Sequence, residues 1–84
     1  MYLNHIKRIV VKSDRVNYIL NNRNKYWYTS AQVRDLLNAL PYESDRLNVA
    51  CNLYDRVVDP QNWNIIFDSF STRNNRNKLA ACSR

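Results

Sequence analysis

The chain contains no glycine in 84 residues. Glycine supplies the backbone freedom that tight β-hairpins need, and it is required in loops that cradle a phosphate or a dinucleotide. Its absence therefore disfavours hairpin-rich sheets and nucleotide-binding loops. Hydrophobic residues make up 45% of the sequence and aromatic residues 12%, which is too many for a disordered chain. These observations predict one small all-α domain.

Apolar residues recur when the sequence is shifted against itself by 30 positions. Three columns align over two successive shifts: Leu3, Val33 and Trp63; Ile6, Leu36 and Ile66; and Val10, Leu40 and Phe70. A fixed period of this size is typical of units that bury an apolar face against their neighbours. We therefore predict a short stack or bundle of helical hairpins within a single domain 1–84: a half repeat 1–12, repeats 13–43 and 44–73, and a half repeat 74–84.

Capping signals place the second helix of the first full repeat. Thr29 and Gln32 have the spacing of a capping box, so this helix should begin at Ser30. Pro41 should end it, because a residue before proline is pushed out of the helical region. Its predicted apolar stripe consists of Val33, Leu36, Leu37 and Leu40.

Similar signals mark the other helices. Ser13 and Ser44 occupy corresponding positions and are predicted N-caps, and Asp59 followed by Pro60 predicts a further helix start. The predicted buried positions of the three C-terminal helices are Leu47, Ala50, Cys51, Tyr54 and one of Val57 and Val58; Trp63, Ile66, Phe67 and Phe70; and Leu79, Ala81 and Cys82.

Cysteine usage and hydropathy bear on the cellular compartment. Cys51 and Cys82 each fall where an apolar residue is expected, so we predict buried reduced thiols in preference to a disulfide. The sequence has no apolar run of about 20 residues that could span a bilayer, and its N-terminus lacks the pattern of a signal peptide. These features predict an intracellular, cytoplasmic protein without a membrane partner.

Three stretches resemble a known family. They are residues 29–37 (TSAQVRDLL), 42–47 (YESDRL) and 57–62 (VVDPQN). In this order they resemble a small helical domain of unknown function with TxxQVxxLL, FDSDRL and VVDPQN motifs, and Tyr42 and Glu43 stand where that family has Phe and Asp. The resemblance implies a helical fold, and it implies no activity, cofactor or catalytic residue.

The sequence offers little for catalysis. His5 is the only histidine, so neither a Ser-His-acid arrangement nor a zinc site of the usual ligand count can be assembled around a choice of histidines. The predicted core positions of the two cysteines disfavour a nucleophilic thiol. We therefore predict a protein that is not an enzyme and that has no catalytic, metal-binding or cofactor-binding residues and no cofactor.

The net charge of +6 is unevenly distributed. Residues 1–34 carry seven basic and one acidic side chains, residues 35–70 two and six, and residues 71–84 four and none. Nucleic-acid binders usually show a continuous basic stripe, so the acidic middle weakens that alternative and leaves it open. Repeated arginines at Arg15, Arg46 and Arg76 are predicted to be structural, each pairing with an acid such as Asp35 or Asp68.

Three adjacent aromatic residues provide the candidate interaction site. Tyr28 precedes the predicted cap and should pack on the following helix, which leaves Tyr26 or Trp27 for the surface, where such residues are common binding hot spots. The predicted contact residues are Arg23, Lys25, Tyr26 and Trp27, with electrostatic support from Lys7, Arg8 and Lys12. The sequence thus predicts a protein-interaction module, with a small nucleic-acid-binding protein and a structural subunit of a large assembly as alternatives; it does not define the oligomeric state.

Overall fold

The computed structural model describes residues 2–8 and 12–83, and of residues 2–4, 12 and 13 it describes the backbone alone. The described chain forms five α-helices and three 3₁₀ helices. The α-helices are α1 (Tyr2–Arg8), α2 (Lys12–Asn21), α3 (Ser30–Asn38), α4 (Glu43–Leu53) and α5 (Arg73–Cys82). The 3₁₀ helices are Arg23–Lys25, Tyr54–Arg56 and Pro60–Ser69. The all-α prediction is confirmed.

Helix α3 lies at the centre of the packing. It contacts the 3₁₀ helix Pro60–Ser69 most extensively, and it also packs against α1 and α4. Helix α4 connects the remaining elements, because α2 and α5 both pack against it. The side chains that are fully buried and largest include Ile6, Ile19, Leu36, Leu37, Leu40, Leu53, Ile66, Phe70 and Leu79.

The start of α3 follows the prediction. The Thr29 hydroxyl accepts a hydrogen bond from the backbone N–H of Gln32, and the Gln32 side chain accepts one from the N–H of Thr29, which completes the capping box. The helix ends at Asn38, two residues earlier than predicted. Leu40 is nevertheless buried, and its N–H bonds to the carbonyl of Leu37 in a final tight turn.

Two predicted N-caps are wrong. Helix α4 begins at Glu43, with Tyr42 at the cap position, so Ser44 lies inside the helix. Helix α2 begins at Lys12, which places Ser13 inside it as well. In both cases the helix begins one residue before the serine, since a serine hydroxyl stabilises a helix start without enforcing it. The buried face of α4 also differs from the prediction, because packing on several sides widens it: Val49, Ala50 and Leu53 are buried, whereas Leu47, Cys51 and Tyr54 are half-buried.

The segment after Asp59 and Pro60 is helical as predicted, but it is a 3₁₀ helix of ten residues. A 3₁₀ helix has three residues per turn, so positions i, i+3 and i+6 share a face. Trp63, Ile66 and Ser69 are accordingly the buried residues of this helix, while Phe67 is only half-buried. The internal repeat stays a prediction. The two helices proposed to correspond, α3 and this 3₁₀ helix, differ in helix type.

In the hydrogen bonds that the structure shows, the repeated arginines cap helix ends and do not pair with Asp35 or Asp68. Carbonyl groups at a helix C-terminus lack helical partners, and a guanidinium satisfies them well. Arg15 donates to the carbonyls of Ala39 and Lys7, Arg46 to those of Leu40 and Ser69, and Arg76 to that of Phe70. Their predicted structural role is therefore supported with different partners.

A disulfide joins α4 to α5, contrary to the predicted reduced thiols. Cys51 and Cys82 are bonded, with their Cα atoms 5.5 Å apart. Both residues are half-buried, and Ala81, predicted to face the core, is exposed. The spacing of the cysteines on two amphipathic helices identifies apolar positions, but it does not show that α4 and α5 bring those positions together.

Candidate functional site

The three adjacent aromatic residues lie in an extended segment between α2 and α3. Tyr28 forms a parallel bridge with Val57: its N–H donates to the carbonyl of Arg56 and its own carbonyl accepts from the N–H of Val58, both at 2.9 Å. Tyr26 and Thr29 also have extended backbone angles. Residues 26–29 are therefore an extended segment at the N-terminal end of α3, held to residues 56–58 by a single isolated bridge, and we call residues 26–29 the aromatic strand.

Extended backbone directs successive side chains to opposite faces, and the aromatic strand follows this rule. The Tyr28 ring points into the core and is 3% exposed, whereas Trp27 points outward and is 63% exposed. Tyr26 shares the side of Tyr28, with its ring centroid 6.3 Å away, although it remains 40% exposed at the edge. The sequence left open whether Tyr26 or Trp27 reaches the surface, and in the structure both do, Trp27 more fully.

The parallel register places Arg56 beside Trp27 on the outer face. Its guanidinium carbon lies 3.9 Å from the centroid of the Trp27 ring, which is within the range of a cation–π contact. The same guanidinium donates to the carbonyls of Tyr26 at 3.1 Å and Asn24 at 3.0 Å. Arg56 therefore fixes the backbone before Trp27 and supports one face of its ring.

Arg23 has a structural role that the sequence did not indicate. Its guanidinium donates to Asp55 at 2.5 Å, to the carbonyl of Asn52 at 2.8 Å and to the side chain of Asn24 at 2.9 Å. These bonds tie the 3₁₀ turn Arg23–Lys25 to the end of α4. The predicted contact residue Arg23 is thus held within the protein, whereas the neighbouring Lys25 is exposed.

Three polar groups of Trp27 have no partner in the described part of the chain. Neither its backbone N–H and C=O nor its indole N–H takes part in a hydrogen bond there. The pattern follows from the bridge, because Tyr28 directs its own N–H and C=O toward residues 56–58 and Trp27 must direct its groups to the opposite side. Val58, 59% exposed, extends the apolar outer face.

The basic residues of α1 lie at the other end of α3. Lys7 lines an open depression of about 360 Å³ with Asp35, Asn38 and Ala39, beside the C-terminus of α3. The nine residues of α3 span roughly 13 Å at 1.5 Å per residue. The structure therefore does not bring Lys7 together with Trp27. Arg8 is exposed on the same short helix, and the side chain of Lys12 lies outside the described residues.

Asp59 links the start of α3 to the start of the 3₁₀ helix Pro60–Ser69. Its carboxylate accepts from the N–H of Ser30 at 2.6 Å and from the side-chain amide of Asn62 at 3.0 Å, while its carbonyl accepts from the Ser30 hydroxyl. The Asn62 amide, followed by the Ser30 N–H, holds the pKa of Asp59 below its ordinary value. One carboxylate thus fixes the starts of two helices beside the bridge.

Glu43 plays the same part at α5. Its carboxylate accepts from the backbone N–H of Ser71 and, at 3.1 Å, from the side-chain amide of Asn75. The Ser71 N–H is the main cause that holds the pKa of Glu43 below its ordinary value. This acid therefore attaches the N-terminus of α5 to the start of α4.

Sequence reasoning missed Arg56 and Val58 as members of the surface. It placed residues 57 and 58 at the end of a helix, whereas in the structure Val57 is extended and Val58 lies in a bend. Two consecutive β-branched residues favour extended backbone, and this was the available signal. No comparable signal reveals Arg56, because its position beside Trp27 depends on the register of the bridge.

Chemically, the outer face offers an aromatic ring, an aliphatic side chain, two cations and unpaired main-chain groups, and these suit binding. Among the described residues no group of three or more His, Cys, Asp or Glu side chains is placed to hold a metal ion. No helix in the described ranges is long and apolar enough to cross a bilayer.

The fold and this surface define a small all-α domain whose helix ends are capped by side chains from neighbouring elements. The family model named Domain of unknown function (DUF4476) matches residues 2–82, so the chain belongs to that family. Neither the curated proteins nor the solved structures contain a match to the chain. Membership of the family is therefore established, whereas the three short motifs in residues 29–37, 42–47 and 57–62 stay a prediction.

Proposed function

We propose that this domain is a non-enzymatic protein-interaction module whose contact surface is the outer face around Trp27. The observation that carries the proposal is the 63% exposure of Trp27 on a backbone that is fixed from both sides. Tryptophan is among the residues most enriched in binding hot spots. A surface that is ordered before binding also loses less conformational entropy when it binds.

The contact set is narrower than the sequence predicted. Trp27, Tyr26 and Lys25 keep the proposed contact role, and Arg56 and Val58 join them on the outer face. Arg23 supports the surface from behind through Asp55 and Asn52. Lys7 and Arg8, at the far end of α3, contribute only to the long-range electrostatic field that steers an approaching partner.

The same surface is less suited to nucleic acid. Binding of single strands combines a basic groove along the backbone with aromatic rings on which bases stack. Here one face of the Trp27 ring already meets Arg56, and the basic residues of α1 lie a helix length away. A protein contact uses the apolar and main-chain groups that this surface provides.

The disulfide between α4 and α5 bears on where the module works. Disulfides persist in oxidising compartments and are rare in the cytosol. The cytoplasmic location stays a prediction from the sequence, and the Cys51–Cys82 bond weighs against it. We therefore propose that the domain acts in an oxidising environment.

The test is capture of partners from an extract of the source organism with the immobilised, oxidised domain. Proteins that depend on the surface should be retained by the wild type and lost with Trp27→Ala. Tyr42→Ala is the matched control, because Tyr42 is an aromatic residue 62% exposed at the opposite end of α3.

The proposal fails if Trp27→Ala and Tyr42→Ala retain the same proteins as the wild type. It also fails if the Trp27-dependent material is nucleic acid, which would be shown by its removal with nuclease and by steep loss of binding between about 50 and 200 mM salt.

A further inference from the structure

We propose that the aromatic strand binds an extended, acidic peptide segment of a partner protein, which adds as a neighbouring strand along Trp27. The inference rests on the proposed interaction function and specifies the chemistry of the partner. Three independent features carry it: the direction of the main-chain groups, the two sides of the Trp27 ring, and the local balance of charge.

The main chain presents a short, open strand edge. Tyr28 uses both of its backbone groups in the bridge to residues 56–58, so Trp27 directs its N–H and C=O away from that bridge. Within the described chain these two groups have no partner. An added peptide strand pairs with such groups through one donated and one accepted hydrogen bond, as in recognition by strand addition.

The chain on either side limits this edge to one residue. The N–H of Thr29 bonds to the Gln32 side chain and its carbonyl accepts from Val33, while the carbonyl of Tyr26 accepts from Arg56. A single open residue does not promote continuous pairing between copies of the chain, which long bare edges do. It instead favours a short peptide whose side chains contribute to binding.

The Trp27 ring provides the side-chain contact. Arg56, from the segment bridged to Tyr28, lies over one face of the ring, at 3.9 Å from the ring centroid. The other side of the ring faces the position of the added strand, where cross-strand aromatic pairs are stabilising. The peptide residue next to Trp27 is therefore expected to be apolar or aromatic.

Charge selects an acidic peptide. Arg23 is neutralised by Asp55 at 2.5 Å, and Asp59 is engaged by the start of α3. Lys25 and Arg56 remain, and no carboxylate of the described chain forms an ion pair with either. Two cations beside the open edge complement Asp or Glu residues that flank the apolar contact residue, and such charges also steer association.

The test is selection from a displayed library of random 16-residue peptides with the oxidised domain as bait. The selected peptides are expected to be enriched in Asp and Glu around an apolar or aromatic residue and to lack proline at that centre. Their affinity should fall at least tenfold with Trp27→Ala, and it should be unchanged with Tyr42→Ala. Lys25→Glu should weaken binding and reduce the preference for acidic over neutral peptides.

Backbone methylation of a selected peptide tests strand addition separately from side-chain contact. Methylation of the one peptide nitrogen that donates to the Trp27 carbonyl should weaken binding about tenfold or more, while methylation of the adjacent nitrogens should have little effect. Protection of the Trp27 amide from hydrogen exchange should appear in the complex.

Several outcomes overturn the inference: selected peptides that are basic or proline-rich, binding that is equal for wild type and Trp27→Ala, uniform tolerance of backbone methylation, or no enrichment at all. Trp27-dependent capture of a folded protein from the extract, together with a failed peptide selection, would retain the interaction function and reject the peptide inference. Failure of both the peptide selection and the Trp27-dependent capture would reject the interaction function as well.

Discussion

The two tryptophans of this domain occupy opposite kinds of environment. Trp63 is 5% exposed, its indole N–H donates to the Ser83 hydroxyl at 2.8 Å, and its ring meets the edge of Tyr54 at 5.0 Å. Trp27 is 63% exposed, and its indole N–H has no partner in the described chain. The protein buries the Trp63 ring and satisfies its indole N–H internally, whereas it leaves the ring and indole N–H of Trp27 accessible to another molecule.

The comparison shows how burial and hydrogen bonding separate a structural residue from a functional candidate. Removal of a buried, bonded ring creates a cavity and leaves a polar group unpaired, so stability falls. Removal of an exposed ring mainly changes what the surface can bind.

Trp63→Ala should destabilise the domain by about 3–5 kcal/mol, because it removes a buried aromatic side chain from the 3₁₀ helix that packs on α3. Thermal unfolding followed by circular dichroism should show a melting temperature lower by more than about 10 °C, or no folded state. Trp63→Phe keeps most of the ring and loses the bond to Ser83, so it should cost only about 1 kcal/mol. A small effect of both variants would contradict the assignment of Trp63 to the core.

Loss of the Cys51–Cys82 bond should cost about 3–4 kcal/mol, since the cross-link closes a loop with a sequence separation of 31 residues. The Cys51→Ala/Cys82→Ala double variant and the wild type in excess dithiol should unfold at similar urea concentrations. The reductant should not affect the double variant. A wild-type melting curve that reductant leaves unchanged would show that the bond does not tie α4 to α5 in solution.

Arg56→Ala should cost about 1–2 kcal/mol through loss of two bonds to carbonyls and of the contact with Trp27. In a Trp63→Phe background, Trp27 is the sole tryptophan, and acrylamide should quench its fluorescence more strongly after the substitution. Arg34→Ala is the control, because Arg34 forms a surface pair with Asp35 at 3.5 Å that should contribute little. Equal quenching with and without Arg56 would contradict its supporting role.

Acid should destabilise the starts of α3 and α5, which Asp59 and Glu43 hold in place. The folded state lowers the pKa of each carboxyl, so their stabilising contribution is present above the ordinary pKa values, 3.8 for Asp59 and 4.5 for Glu43. It is lost as the pH falls through the lower, folded values. Urea unfolding between pH 6 and pH 2 should show a decline in the acid range that is smaller for Asp59→Asn and for Glu43→Gln. Curves parallel to the wild type would contradict these assignments.

Local signals in the sequence predicted much of the fold. The capping box of Thr29 and Gln32 identified the start of α3, and Asp59 with Pro60 identified the start of a further helix. These motifs act through hydrogen bonds and backbone restrictions within a few residues. They could not identify a 3₁₀ helix, whose choice depends on how Trp63, Ile66 and Ser69 pack against α3.

Long-range relationships account for what the sequence did not reveal. The disulfide depends on the approach of α4 to α5, and the position of Arg56 depends on the register between Tyr28 and Val57. The aromatic run identified Tyr26 and Trp27 as candidates for the surface. Trp27 is more exposed than Tyr26 because side chains alternate along an extended segment, and no local sequence pattern predicted that this segment is extended.

Urea unfolding of Trp27→Ala, with Tyr42→Ala and Trp63→Ala measured beside it, tests the central claim most directly. We predict that Trp27→Ala lowers the free energy of unfolding by less than about 1 kcal/mol, close to the effect of Tyr42→Ala, because most of the ring is already in water. A loss of about 3 kcal/mol or more, as expected for Trp63→Ala, would make Trp27 a core residue and contradict its assignment to a binding surface.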